Sequence, residues 1–247
     1  MASDPNPLAL ELASPKVRRD DEAVTISWSI PLSEHTPEVY FRFLNPQVEP
    51  AHLGEAMLST ALYLGMATGR PLRSELAASP EFVTNLEPLQ DLFLRWFPQF
   101  SRIQIDAPER EPLRGRATPL WEPARQGAAV MFSGGVDSFH SAVALEGQIQ
   151  TAIYIHGFDT KLEDLRYRST ISRELQAACS ELGLDLIEVE TNLRDISDEH
   201  CPWFQYHGGM LSAVCHLLAD RFERVFIPSS YTYDQLNDCG SHPLIDP

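Results

Sequence analysis

From residue 128 onward, short apolar runs alternate with longer stretches of helical period. Four runs, at 128–132, 151–156, 184–190 and 224–229, have the length of single strands. Between them lie three helical patterns. One begins near Asp137 and ends at Gly147. A second carries Ile171, Leu175, Ala178, Cys179 and Leu182 and stops at Gly183, and a third carries Met210, Leu211, Val214, Leu217 and Leu218. Strand–helix alternation predicts βαβ units and a parallel sheet, with right-handed crossovers and helices on both faces. In such a doubly wound α/β fold, ligands sit beyond the carboxyl ends of the strands.

The first half of the chain is patterned differently. Residues 24–30 (Val-Thr-Ile-Ser-Trp-Ser-Ile) and 39–44 (Val-Tyr-Phe-Arg-Phe-Leu) alternate like half-buried strands. Leu53, Met57, Ala61 and Leu64 then fall at helical spacing, and Gly69 and Pro71 end that run. Ser79 followed by Pro80 opens another helix, whose apolar stripe is Phe82, Leu86, Leu89, Phe93 and Trp96. Pro88 inside the stripe predicts a kink or two short helices. Residues 101–106 alternate like a third strand. The expected organisation is therefore a mobile tail (1–21), a small α+β accessory domain (22–107), a linker rich in Pro, Arg and Glu (108–126), and the α/β domain (127–247).

Composition narrows the classes. A chain of 247 residues with 43% hydrophobic content has ample material for a core. It has no apolar run of membrane length, and its first residues lack a signal-peptide core, so a cytoplasmic protein without membrane contact is expected. Its cysteines, Cys179, Cys201, Cys215 and Cys239, have no Cys-x-x-Cys spacing. The net charge is −16, and after residue 125 there are 7 Lys+Arg against 18 Asp+Glu. Nucleic-acid binders show the reverse balance because they must neutralise phosphates. A small-molecule substrate is expected instead, with room for a homo-oligomer or a pathway partner.

The chemistry concentrates where the first strand of the second half ends, at Ser133-Gly134-Gly135-Val136-Asp137-Ser138. A strand that runs through two glycines into a helix start brings backbone N–H groups and the positive end of the helix dipole to one point, which suits phosphate. The stretch is not a Walker loop, since it has no Gly-Lys-Ser/Thr, and it is not a nucleophile elbow. It resembles the SGGxDS signature of the PP-loop ATP pyrophosphatases. Cyano-deazaguanine synthase of the queuosine pathway is the branch most similar in look, because Phe158-Asp159 follows the second strand as in that branch. The resemblance spans roughly residues 127–240. It implies an adenine nucleotide alpha hydrolase-like (HUP) fold, ATP and Mg²⁺ as cofactors, and cleavage of ATP to AMP and pyrophosphate. It implies further that a carboxylate, amide or carbonyl oxygen is adenylated, and that ammonia or another nucleophile then displaces AMP.

Residue by residue, the resemblance places Ser133, Gly134, Gly135, Val136, Asp137 and Ser138 on the phosphates. Asp137 is the metal contact, since a hard cation takes carboxylate oxygens. Tyr154, Ile155 and His156 are the candidates for reading adenine. Ser133, Asp137 and Asp159 form the catalytic set, and Gly208-Gly209, taken as a helix N-terminus, is a second anion contact. Lys161, Arg166 and Arg168 are candidates for the α-phosphate. The four-cysteine zinc cluster that ends cyano-deazaguanine synthases has no counterpart here, so the chain is either C-terminally incomplete or of a lineage without it. Two other readings remain open: a nucleotide-binding regulatory module without turnover, and a tRNA-modifying PP-loop enzyme, which the acidic charge opposes.

Overall fold

A computed structural model describes residues 8–32, 36–111, 127–229 and 231–245. In chain order the elements are β1 (Leu10–Leu12), β2 (Lys16–Arg19), β3 (Val24–Ser29), β4 (Glu38–Phe43), α1 (Leu53–Thr68), β5 (Leu72–Ser74), α2 (Pro80–Trp96) and β6 (Ile105–Asp106). After the undescribed stretch come β7 (Ala128–Met131), α3 (Val136–Ala144), β8 (Thr151–His156), α4 (Leu165–Leu182), β9 (Asp185–Thr191), α5 (Leu193–Ser197), α6 (Trp203–Leu217) and β10 (Arg224–Phe226).

The protein is mixed α/β. A three-stranded parallel sheet has the order β1-β5-β6, and a seven-stranded sheet has the order β10-β7-β8-β9-β4-β3-β2. In the larger sheet β10, β7, β8 and β9 run parallel, as their patterning predicted, whereas β4, β3 and β2 join antiparallel. The sheet is thus mixed rather than parallel throughout, and one sheet spans both halves of the chain.

Period-2 alternation explains the junction. Phe41 and Phe43 of β4 lie opposite Thr191 and Val189 of β9, all fully buried on one face. On the other face Arg42 meets Glu190, which also holds Arg168 of α4. Asn192 closes the pair: its side chain accepts from the Tyr40 amide and donates to the Glu38 carbonyl. An apolar edge on β9 is thereby covered instead of left open to solvent.

Alternation also sorts the core. Ala128, Val130 and Phe132, with Ala152 and Tyr154, face Leu175 and Cys179 of α4. Ala129 and Met131, with Ile153 and Ile155, face the layer that contains α1 and α6. Helix α1 is buried at every position from Gly54 to Met66, as expected for a helix apolar on all sides.

Several sequence expectations need correction. The tail expected at 1–21 contains β1 and β2. Leu10 and Leu12 are buried, and β2 forms a hairpin with β3. Residues 1–7 lie outside the described residues. The linker expected at 108–126 is docked at its start: Glu109 bridges to Ala78, and Arg110 ion-pairs with the buried Glu55 of α1. Its remainder, 112–126, also lies outside the described residues. Helix α2 runs through Pro88 as one 17-residue element, with Pro88 on its exposed face. Its stripe packs on α1, where the Phe93 and Tyr63 rings meet edge to face at 4.8 Å. The strands expected at 101–106 and 224–229 are short, pairing only at β6 and β10. Among the described residues no helix is long and apolar enough to cross a membrane.

Candidate functional site

The stretch from Ser133 to Ser138 leaves the carboxyl end of β7 and turns into α3. Gly134 has φ +78°, and a Cβ there would lie 3.0 Å from a Leu175 methyl, so both its conformation and its surroundings call for glycine. Ser133 folds its hydroxyl back to accept from the Gly135 amide at 3.3 Å. Ser138 is buried and donates to the Gly135 carbonyl at 2.8 Å, which fixes the turn from below. Gly135 is the N-cap of α3 and, having no side chain, makes no side-chain cap bond to the first turn. Val136 stands 84% exposed, and it offers its backbone rather than its side chain to the site. Ser133, Gly134, Gly135 and Asp137 are exposed as well.

Beside the turn lies a cleft of about 230 Å³. Its floor is the carboxyl ends of three parallel strands: Met131 and Phe132, Ile153 to Ile155, and Ile227 and Pro228. Ser133, Asp137, Ser138 and Asp159 supply the polar groups. Phe158, Trp203, His207 and Leu211 form the far wall. The Phe158 and Trp203 rings meet at 4.7 Å, and the Arg194 guanidinium covers Trp203 at 4.7 Å while donating to the Phe158 carbonyl. Arg194 thus holds the wall from outside. His207 Nδ1 is 3.2 Å from the Trp203 carbonyl, which fixes the ring against its own helix.

The structure therefore brings Ser133, Asp137, Ser138, Tyr154, Ile155 and Asp159 to one cleft, with Gly134, Gly135 and Val136 in the adjoining turn. Two expected contacts lie elsewhere. The side chain of His156 points away from the cleft and is buried under α4, where Nε2 meets Glu188 at 2.9 Å and Ser172 donates to the same carboxylate. Burial alone would raise the Glu188 carboxyl, but the hydrogen bonds from His156 and Ser172 outweigh it, and the carboxyl is held below its usual range. His156 Nδ1 has no partner among the described residues.

The second correction concerns Gly208 and Gly209. They are not a helix start: α6 begins at Trp203, so both are interior to it, with their amides inside the helix. A Cβ on Gly208 would lie 1.6 Å from the Gly240 carbonyl oxygen, and one on Gly209 would lie 2.5 Å from the Tyr63 ring and 2.8 Å from the Ser59 carbonyl. The two glycines admit close packing of the Gly240 backbone and the Tyr63 ring, and the helix start expected at this pair lies at Trp203 instead. Of the cations considered for the α-phosphate, none lines the cleft, and Arg168 is committed to Glu190.

Trp203, His207 and Leu211 lie at i, i+4 and i+8. That spacing was available in the sequence as one helix face, and it is the signal that links the aromatic-rich loop to the cleft. Glu188 and Ser172 carried no such local signal. No family model, no curated protein and no solved structure matches the chain.

Proposed function

We propose that the protein is a PP-loop-type adenylating enzyme, which cleaves ATP to AMP and pyrophosphate in the cleft above β7, β8 and β10. The observation that carries this reading is the exposed glycine turn opening α3 beside a cleft floored by the carboxyl ends of three parallel strands. The strand order β9-β8-β7-β10, with helices on both faces, supports the finer reading of a doubly wound, adenine nucleotide alpha hydrolase-like fold.

In this reading the β- and γ-phosphates take the amides of Gly134 and Val136, replace the Ser133 hydroxyl on the Gly135 amide, and draw the Ser133 and Ser138 hydroxyls, the latter from the Gly135 carbonyl. The backbone of Tyr154 to His156 faces adenine. A carboxylate, amide or carbonyl oxygen of the acceptor attacks the α-phosphorus as the bond to the pyrophosphate oxygen breaks. A nucleophile such as ammonia then attacks the activated carbon, AMP departs, and the proton passes to solvent. The Phe158–Trp203 wall limits water near the adenylate.

Mg²⁺ takes oxygen ligands and is usually held by one or two carboxylates together with substrate phosphates. Asp137 and Asp159, on the same cleft, fit that donor set. Among the described residues no group of three or more His, Cys, Asp or Glu forms a metal cage. The ion would thus enter with the nucleotide and neutralise charge on the departing pyrophosphate.

The test is calorimetric binding of ATP·Mg²⁺ together with AMP release from α-labelled ATP, measured against a panel of small carboxylate, amide and carbonyl acceptors with hydroxylamine as a generic nucleophile. Wild type should bind ATP and release AMP, and Asp137→Asn should lose AMP release while keeping its fold. Binding without AMP release would favour a regulatory nucleotide module. Absence of ATP binding would overturn the reading.

A further inference from the structure

A second cavity, of about 600 Å³, lies between α1, α2 and α6 and is roofed in part by Leu244 and Ile245. It differs from the cleft in one decisive respect. Among the described residues no Asp, Glu, Lys or Arg lines it, in a chain where charged residues make up 22%. Its walls are the apolar side chains of α1 and α2, including Leu62, Phe82, Leu86 and Leu89. The polar side chains on its wall carry no formal charge: the Ser59 and Ser212 hydroxyls, 3.3 Å apart, the Tyr63 phenol, the Asn85 amide at the mouth, and the His216 imidazole.

His216 touches the rings of Phe82 and His52, but neither of its nitrogens has a hydrogen-bond partner among the described residues. Burial pushes its pKa down to about 4, so it lines the cavity as a neutral ring with hydrogen-bonding capacity unused. His216 is half-buried and its nitrogens are not sealed off, so a ligand in the cavity can reach them. The cavity also has the size of small-molecule sites, which combine apolar walls with a few convergent polar groups.

Helix α6 separates the two chambers. Trp203, His207 and Leu211 face the cleft, whereas Gly208, Gly209, Ser212 and His216 face the cavity. The second chamber is therefore a distinct site, and its assignment does not depend on ATP binding in the first.

We propose that this cavity binds a neutral, largely apolar small molecule that carries one hydroxyl or amide group, with the apolar body against α1 and α2 and the polar group on His216 and the Ser59–Ser212 pair. A charged ligand is disfavoured because no opposite charge lines the walls among the described residues.

The probe is 2-naphthol, a flat apolar body with one hydroxyl, compared with naphthalene-2-sulfonate, the same body carrying a charge. Full-length protein is titrated by fluorescence, and the His216 imidazole signal, identified by its loss in His216→Phe, is followed by NMR. The expected result is saturable naphthol binding that shifts the His216 signal, with the sulfonate about tenfold weaker or more. Ser212→Leu, which fills the chamber and removes a hydroxyl, should weaken naphthol by about tenfold. If that variant does not fold, Asn85→Trp, at an exposed position on the mouth, carries the same test. Lack of saturation, equal binding of the sulfonate, an unmoved His216 signal, or unchanged affinity in the folded filling variant would each overturn the proposal.

Discussion

The chain contains two Gly-Gly pairs, and they do opposite things. Gly134-Gly135 is exposed, precedes a helix, and turns the backbone through a left-handed conformation at Gly134. Gly208-Gly209 is buried inside a helix, and there the missing side chains admit the Gly240 backbone and the Tyr63 ring. The first pair uses the conformational freedom of glycine and the second uses its small size. The identity of the dipeptide does not distinguish these uses. What does is the position of the helix start relative to the pair, together with what approaches from elsewhere in the chain.

The contrast is sharpest at Gly208. Gly208→Ala forces a methyl onto the Gly240 carbonyl oxygen, which cannot retreat as a flexible side-chain tip would. The expected cost is about 3 kcal/mol, a fall in Tm of roughly 6–12 °C by thermal melting. A melt within 2 °C of wild type would mean that the 239–241 segment is not seated on α6.

Two turns along the same helix, His216 makes the stability of this region depend on pH. Its pKa is about 4 in the folded chain against 6.5 for the free side chain, so the unfolded state takes up the proton more readily. Its contribution is complete above pH 6.5 and is lost as pH falls from 6.5 toward 4. The loss is on the order of 3 kcal/mol. Denaturant melts across that window should show the slope, and His216→Leu should flatten it.

Gly209→Ala is expected to cost about 2 kcal/mol, less than Gly208→Ala, because its nearest obstacle is a Tyr63 ring atom, although the Ser59 carbonyl stands close behind. In the other pair, Gly134→Ala should cost about 1–2 kcal/mol from the left-handed φ, with the Leu175 methyl giving way. Its larger effect should be on ATP, with affinity falling about tenfold by calorimetry as the turn amides shift. The smallest change in stability is expected for Gly135→Ala, within about 0.5 kcal/mol, since its φ is ordinary and only the Ser133 hydroxyl comes near, at 3.3 Å. If Gly135→Ala also leaves ATP affinity unchanged, the turn does not approach phosphate closely at that residue.

The same division between local and remote causes governs what could be read from residue order. The four parallel strands, the turn at Ser133–Ser138 and the cap of α2 at Ser79 were all legible, because each depends on residues within one or two turns of one another. Asp137 and Asp159 were placed at the same cleft because strands alternating with helices bring their carboxyl ends together. His156 shows the limit of that logic. Its position at a strand end was clear, and alternation puts it on the α4 face with Tyr154, but the partners that hold it there, Glu188 and Ser172, follow 32 and 16 residues later.

Local order thus determined the α/β class, the glycine turn into α3 and the acidic charge balance, because composition, period and turn chemistry act over short range. Tertiary structure alone decided that β4 covers the edge of β9, that Arg110 anchors on Glu55, and that Gly208-Gly209 is a packing surface. Each of these rests on a contact between residues far apart in the chain, Phe41 with Thr191, Glu55 with Arg110, Gly208 with Gly240. Such contacts leave no periodic trace in the sequence, because what selects them is the burial of two complementary surfaces that exist only after the chain has folded.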